Sequence, residues 1–167
     1  LRVACAQSLA EVVLAPAMTA FLRRHPLTAV DLRIDARAVN LVEERIDVAI
    51  RITNDLDPNL IARRLGECAS VVCASPAYLA EHGTPTQPDA LTAHNCLTYS
   101  YFGRSLWEFS DPAGEHIGVP VGGNLSANEA HVLLAAAEHG AGIAMQPWYA
   151  ANASIQAGRL VALLLAE

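Results

Sequence analysis

The chain has 167 residues, 53% of them hydrophobic and 17% charged, with a formal net charge of -6. Such a composition supplies a packed core and excludes intrinsic disorder, and the length suits one domain or two small lobes. Arg, Asp or Glu interrupt every apolar run before the ~18 residues of a membrane span, and the acidic balance, with only Arg104 and Arg159 as bases after residue 75, speaks against nucleic-acid binding by these residues.

In chain order, residues 1–6 read as a short apolar strand, and a helical pattern then runs to about Arg24. Ser8 fits an N-cap, with Glu11 at capping-box spacing. Leu14, Met18, Phe21 and Leu22 form one apolar stripe, and Pro16 falls inside it, where it should kink the helix or delay its regular start. Alternation predicts a second strand over 29–35, a short helix over 39–44 and a third strand over 47–52. Strand, helix, strand, helix, strand in fifty residues indicates parallel pairing through crossover helices.

Beyond a turn-rich 53–58, strands are predicted at 60–65 and 69–74, then a helix from Pro76 to about His82, broken by Gly83. Further strand-like runs occupy 96–99, 106–109 and 117–121, with a turn at 111–114. Asn128 is expected to cap a helix over 129–139 that Gly140 stops. A buried strand at 142–145, a helix from Pro147 and a last strand from Arg159 complete the pattern. This second α/β cycle predicts lobe I over 1–74, lobe II over 75–146 and a return to lobe I over 147–167. Two such lobes leave a cleft where strand C-terminal ends bind small molecules.

Candidate chemistry is sparse. The six His form no HExxH and no close His/Cys pair, with His94-Asn95-Cys96 the nearest approach, so no metal site is expected. No GxSxG elbow accompanies any Ser, and catalysis is not expected. Cys5, Cys68 and Cys73 lie in or beside apolar strands, where Cys acts as a small hydrophobe. Gly140-Ala141-Gly142 follows a helix and precedes a strand, the reverse of a phosphate-binding loop. What remains is polar groups at successive strand ends: Gln7 and Ser8, Asp35 to Arg37, Arg51 to Thr53, Ser100 and Tyr101, Asn128 and Glu129.

Six stretches carry a family resemblance: Leu41-Val42-Glu43-Glu44-Arg45-Ile46-Asp47-Val48-Ala49-Ile50-Arg51, Leu60-Ile61-Ala62-Arg63-Arg64-Leu65, Cys73-Ala74-Ser75-Pro76-Ala77-Tyr78-Leu79, His82-Gly83-Thr84-Pro85, Gly140-Ala141-Gly142-Ile143-Ala144 and Gly158-Arg159-Leu160-Val161. In this order they resemble the effector-binding domain of LysR-type transcriptional regulators along nearly the whole chain. The resemblance implies an α/β fold of two Rossmann-like lobes, like the type 2 periplasmic binding proteins, truncated at both ends. It also implies a cytoplasmic sensor that is not an enzyme and needs no cofactor or metal. Its effector would be a small molecule, such as a small organic acid, held in the cleft between the lobes. Carried over by motif, the ligand residues are Ser8, Ala36, Arg37, Arg51, Ile52, Thr53, Ser100, Tyr101 and Asn128. Arg45 stands where the family usually has Gly. The family's homo-oligomers, dimers or tetramers, set helix 10–24 antiparallel to the partner's helix 129–139. DNA binding would belong to a winged helix-turn-helix outside this chain, and no membrane contact is implied. The alternative is a transporter-associated solute-binding protein of the same fold, for which a secretion signal would be expected.

Overall fold

The computed structural model describes residues 1–34, 41–53, 58–100, 105–110 and 116–165. Its backbone divides into two units, Leu1–Cys68 and Ala69–Glu167.

In the first unit, β1 (Arg2–Cys5) lies between β2 (Asp31–Ile34) and β3 (Val48–Ile50), and both pairings are parallel, as the alternating pattern predicts. The apolar run of β1 makes it the central strand: Val3, Ala4 and Cys5 are all buried. The helix that follows starts earlier than expected. Ala6, with extended backbone, takes the N-cap position of α1 (Gln7–Leu9), so Ser8 sits inside the first turn, buried, and is not the cap. The capping-box reading fails for the same reason, and Glu11 Oε1 instead accepts from Gln7 Nε2 at 2.8 Å. A wide π-helical turn, Ala10–Leu14, then leads into α2 (Ala15–Arg24), with Pro16 in the first turn of α2. Proline has no N–H to give and its ring crowds the carbonyl four residues back, so the preceding turn opens.

Two expected elements differ. Residues 41–45 form turns and no helix, with Arg45 at a positive φ of 53°; residues 39–40 of that expectation lie outside the described residues. Residues 60–65 run irregular and exposed, with Ile61 wholly so. A strand was expected there, but among the described residues no strand lies beside them to exchange backbone hydrogen bonds.

The second unit is built on β4 (Ser70–Ala74), β5 (Cys96–Tyr99), β8 (Ser126–Ala127), β9 (Ile143–Pro147) and β10 (Val161–Ala162), in the order β10-β4-β9-β5-β8. β9, β5 and β8 are mutually parallel, whereas β4 runs antiparallel to both β9 and β10. β6 (Leu106–Ser110) and β7 (His116–Pro120) form a separate antiparallel hairpin. The expected turn at 111–114 lies outside the described residues. Residues 147–167 were expected to return to lobe I; Val161 pairs with Ala74 and Leu163 N–H donates to Val72 O, which sets the end of this segment against β4. The division between units accordingly falls at 68/69 and not at 74/75.

Both hydrophobic clusters identified among the described residues lie in the second unit, one on each face of its sheet. Strand alternation sorts them: Val72, Ala74, Cys96 and Ile143 face Trp107, Val119, Leu91 and Tyr78 of α3 (Pro76–His82), while Cys73, Leu97 and Ala144 face α4 (Ala130–Glu138) and α5 (Trp148–Gln156). Each fully buried Leu or Ile there stabilises the fold by about 1.5–3 kcal/mol. Ser75 caps α3 by accepting from Tyr78 N–H at 3.2 Å, and Gly83, at φ 84°, ends it in a conformation that favours glycine. Asn95 fastens the start of β5, its Nδ2 donating to Asn124 Oδ1 at 2.9 Å and Ala141 O at 2.6 Å. Gly142 and Gly123 pack so closely on Asn95 and Cys96 that no Cβ would fit.

Candidate ligand site

Parallel strands send their C-terminal ends, and the loops that follow, to one end of a sheet. In the first unit Cys5 of β1 is registered with Ile50 of β3. Ser8, just past β1, and Arg51, Ile52 and Thr53, just past β3, therefore share that end. Ser8 is buried there and the three residues after β3 are exposed. Ala36 and Arg37, expected beside them after β2, lie outside the described residues.

In the second unit Tyr99 of β5 is registered with Ala127 of β8. Ser100 and Asn128 consequently follow adjacent strand ends, both exposed. Tyr101 lies outside the described residues. Asn128 is not the cap it was expected to be: Glu129 holds the N-cap position of α4 and makes no side-chain cap hydrogen bond. Each unit therefore gathers its own expected residues at a strand C-terminal end.

One polar residue of the second unit escaped the sequence reading. Gln146, the penultimate residue of β9, is only 1% exposed, and its Oε1 has no hydrogen-bond partner. A buried acceptor left unpaired costs about 1–3 kcal/mol. The available signal was a single Gln closing an otherwise apolar strand immediately before Pro147.

A recess of about 420 Å³ lies elsewhere in the first unit, lined by Leu1, Arg2, Ala29, Val30, Asp31, Arg45 and Asp47. These residues sit at the N-terminal ends of β1, β2 and β3, opposite Arg51. Its two carboxylates are already engaged: Arg2 Nε and Arg33 Nη2 bond Asp31 Oδ2 at 3.2 Å and 2.9 Å, and Asp47 Oδ2 accepts from Arg2 N–H at 2.7 Å. The Arg33 hydrogen bond, then the charges of Arg33 and Arg2, hold the Asp31 carboxyl below its ordinary range despite partial desolvation.

Burial pushes the pKa of the Cys73 and Cys96 thiols up to about 12, Cys73 with help from the Glu138 charge, and burial raises Cys5 and Cys68 as well. All four are free thiols; Cys68 is exposed, whereas Cys5, Cys73 and Cys96 are buried. Tyr78 has the densest polar environment, its OH accepting from Asn95 N–H at 3.0 Å and sharing a hydrogen bond with His94 Nδ1 at 3.3 Å. Its ring stacks on His82, with 4.3 Å between centroids. Among the described residues no group of three or more His, Cys, Asp or Glu could hold a metal ion, and no helix is long and apolar enough to cross a membrane.

Two α/β units with parallel strands whose C-terminal ends carry polar groups have the architecture of the periplasmic-binding-protein type. The family model described as the LysR substrate binding domain matches residues 1–167, and the chain belongs to that family. It is 35% identical over 156 residues to the HTH-type transcriptional regulator DmlR of Escherichia coli strain K12, covering 91% of this chain and 50% of that protein. The regulatory domain of CrgA, a LysR-type transcriptional regulator from Neisseria meningitidis, superposes with a TM-score of 0.84 at 29% identity, covering 98% of this chain and 80% of that one. Full-length AphB, the Vibrio cholerae virulence activator, superposes with a TM-score of 0.85 at 27% identity, covering 98% and 56%. The chain thus spans about half the length of the curated relatives it matches. Those relatives are transcriptional regulators and not transporter-associated solute-binding proteins.

Proposed function

We propose that this domain senses a small-molecule effector on behalf of a LysR-type, DNA-binding transcriptional regulator in the cytoplasm. The observation that carries the reading is the family match along residues 1–167, shared with relatives named as transcriptional regulators. The effector is held by Ser8, Ala36, Arg37, Arg51, Ile52 and Thr53 with Ser100, Tyr101 and Asn128. The gathering of Ser8 with Arg51 to Thr53, and of Ser100 with Asn128, at strand C-terminal ends supports this assignment. Arg51 selects a small organic acid, since a charge-assisted hydrogen bond contributes about 1.5–3 kcal/mol. Binding shifts the equilibrium between two packing states of a homo-oligomer, through different affinities for each.

Exposed apolar residues support an oligomer surface: Val12 and Val13 on the first helix and Val132 on α4 are each more than 40% exposed, and α2 buries none of its residues. In this arrangement helix 10–24 meets α4 of a second copy. DNA is contacted by a separate winged helix-turn-helix, in keeping with the net charge of -6 here.

Calorimetric titration with a panel of small carboxylates tests the reading. One or more acids should bind, and Arg51→Ala should weaken binding about tenfold, ~1.4 kcal/mol, with melting temperature unchanged. Arg51→Ala binding of equal strength would remove Arg51 from the site. Absence of binding across the panel would remove the acid class.

A further inference from the structure

We propose that Gln146 is a ligand-contacting residue, and that the effector is therefore a small acid carrying a hydrogen-bond donor, such as a hydroxyl, near its carboxylate. This rests on the reading above that an effector is held at the strand ends.

Three features of the second unit place Gln146 at that site. Its side of the sheet follows from alternation: Met145 packs with the Trp107 cluster, Ala144 with the α4–α5 cluster, and Gln146 falls on the side of Ala144. Its partner across β4 is Val71, which packs on that same α4–α5 cluster. Its position along the strand follows from register. Ala144 pairs with Leu97, and two steps further Gln146 stands level with Tyr99, itself paired with Ala127, the residue before Asn128. Gln146 thus lies at the strand ends that present Ser100 and Asn128, on the face that α4 covers.

The third feature is chemical. Gln146 Oε1 is buried without a hydrogen-bond partner, and an amide oxygen can only accept. Half-buried Glu129, at the N-cap of α4 and without a cap hydrogen bond, adds a second acceptor at this end. Two acceptors on the second unit call for a donor on the ligand: a hydroxyl, an amide or an ammonium. A structural role alone would be served as well by an apolar residue of the same length.

The test uses pairs of acids that differ only by a hydroxyl, lactate against propionate and mandelate against phenylacetate, titrated calorimetrically. The hydroxy acid of at least one pair should bind about tenfold more tightly. Gln146→Met, which keeps length but loses the acceptor, should erase that advantage and keep or raise the melting temperature. A readout without substitution follows the Gln146 side-chain amide resonances, which should move with the preferred hydroxy acid and stay put with its partner. Equal binding within each pair, or an advantage that survives Gln146→Met, would overturn this inference and leave the sensor reading standing; Oε1 would then be met by ordered water. No binding by any of the four acids would overturn the inference together with the small-acid reading.

Discussion

The two units solve the same problem to different degrees. The five-stranded sheet of the second unit carries a buried cluster on each face, with Leu97, Ile143 and Ala144 each 1% exposed or less. In the first unit, among the described strands, only the central β1 carries a run of buried residues, Val3 to Cys5, while Ile34 of β2 and Val48 of β3 are each 47% exposed. The second unit therefore rests on its own two-sided packing, and the first on one strand and one helix. Regions with few buried apolar contacts open at lower free energy. Ser8 and the residues after β3 are thus on the more easily opened scaffold, and Ser100, Asn128 and Gln146 on the firmer one.

The largest test of that contrast is cavity formation. Leu97→Ala removes a side chain held between the sheet and α4 and should cost about 4–5 kcal/mol, at the high end for such truncations. Leu14→Ala, in the first unit's thinner core, should cost about 2–3 kcal/mol because its surroundings can collapse. Both Trp residues, Trp107 and Trp148, belong to the second unit. Denaturant unfolding followed by Trp fluorescence should accordingly register Leu97→Ala fully, whereas Leu14→Ala needs hydrogen exchange at β1 to be seen. Equal costs would refute the contrast.

A smaller effect is pH-dependent. Burial, then the nearby His82 charge, lowers the pKa of His94 below its ordinary 6.5. The folded state thus prefers neutral His94, so this contribution is complete above about pH 6.5 and is lost as pH falls through the lowered value. Protonation also makes Nδ1 a donor toward Tyr78 OH, which already accepts from Asn95 N–H. Thermal stability should fall on acidification from pH 7 to pH 5, and His94→Gln should flatten that slope. An unchanged slope would show that the Tyr78 network does not sense this proton.

The smallest concerns the first unit alone. Arg45 holds φ 53° in a turn, a conformation that costs a side-chain-bearing residue about 1 kcal/mol and glycine almost nothing. Arg45→Gly should raise stability by somewhat under 1 kcal/mol, since glycine's unfolded-state freedom offsets part of the gain. A loss of stability would mean that the Arg45 side chain contributes more than its backbone strain removes.

Much of the fold was legible because local signals and tertiary packing agree. The helix at Pro76–His82 and the strand at Cys96–Tyr99 were read to the residue, since Ser75, Gly83 and Asn95 punctuate them. The reading failed where partners decide. Residues 60–65 read as a strand, yet no strand stands beside them among the described residues. Residues 147–167 read as a return to lobe I, and the end of that segment lies against β4. Of the candidate site, Ser8, Arg51 to Thr53, Ser100 and Asn128 were read as strand-end residues, and parallel register puts them there. Their capping roles were misread, because the N-cap falls at Ala6 in one case and Glu129 in the other. Gln146 was missed because one polar residue does not interrupt an apolar pattern, and its significance lies in a burial that only the three-dimensional arrangement reveals.

The most direct test of the effector-binding account is hydrogen exchange on the chain with and without the tightest-binding acid from the titration panel. Protection is predicted at residues 51–53 and the first turn of α1 in one unit, and at residues 99–100 and the start of α4 in the other. The gain should be greater in the first unit, where opening is easier. Protection confined to the recess around Arg2, Asp31 and Asp47, or none in either unit at saturating acid, would contradict the account.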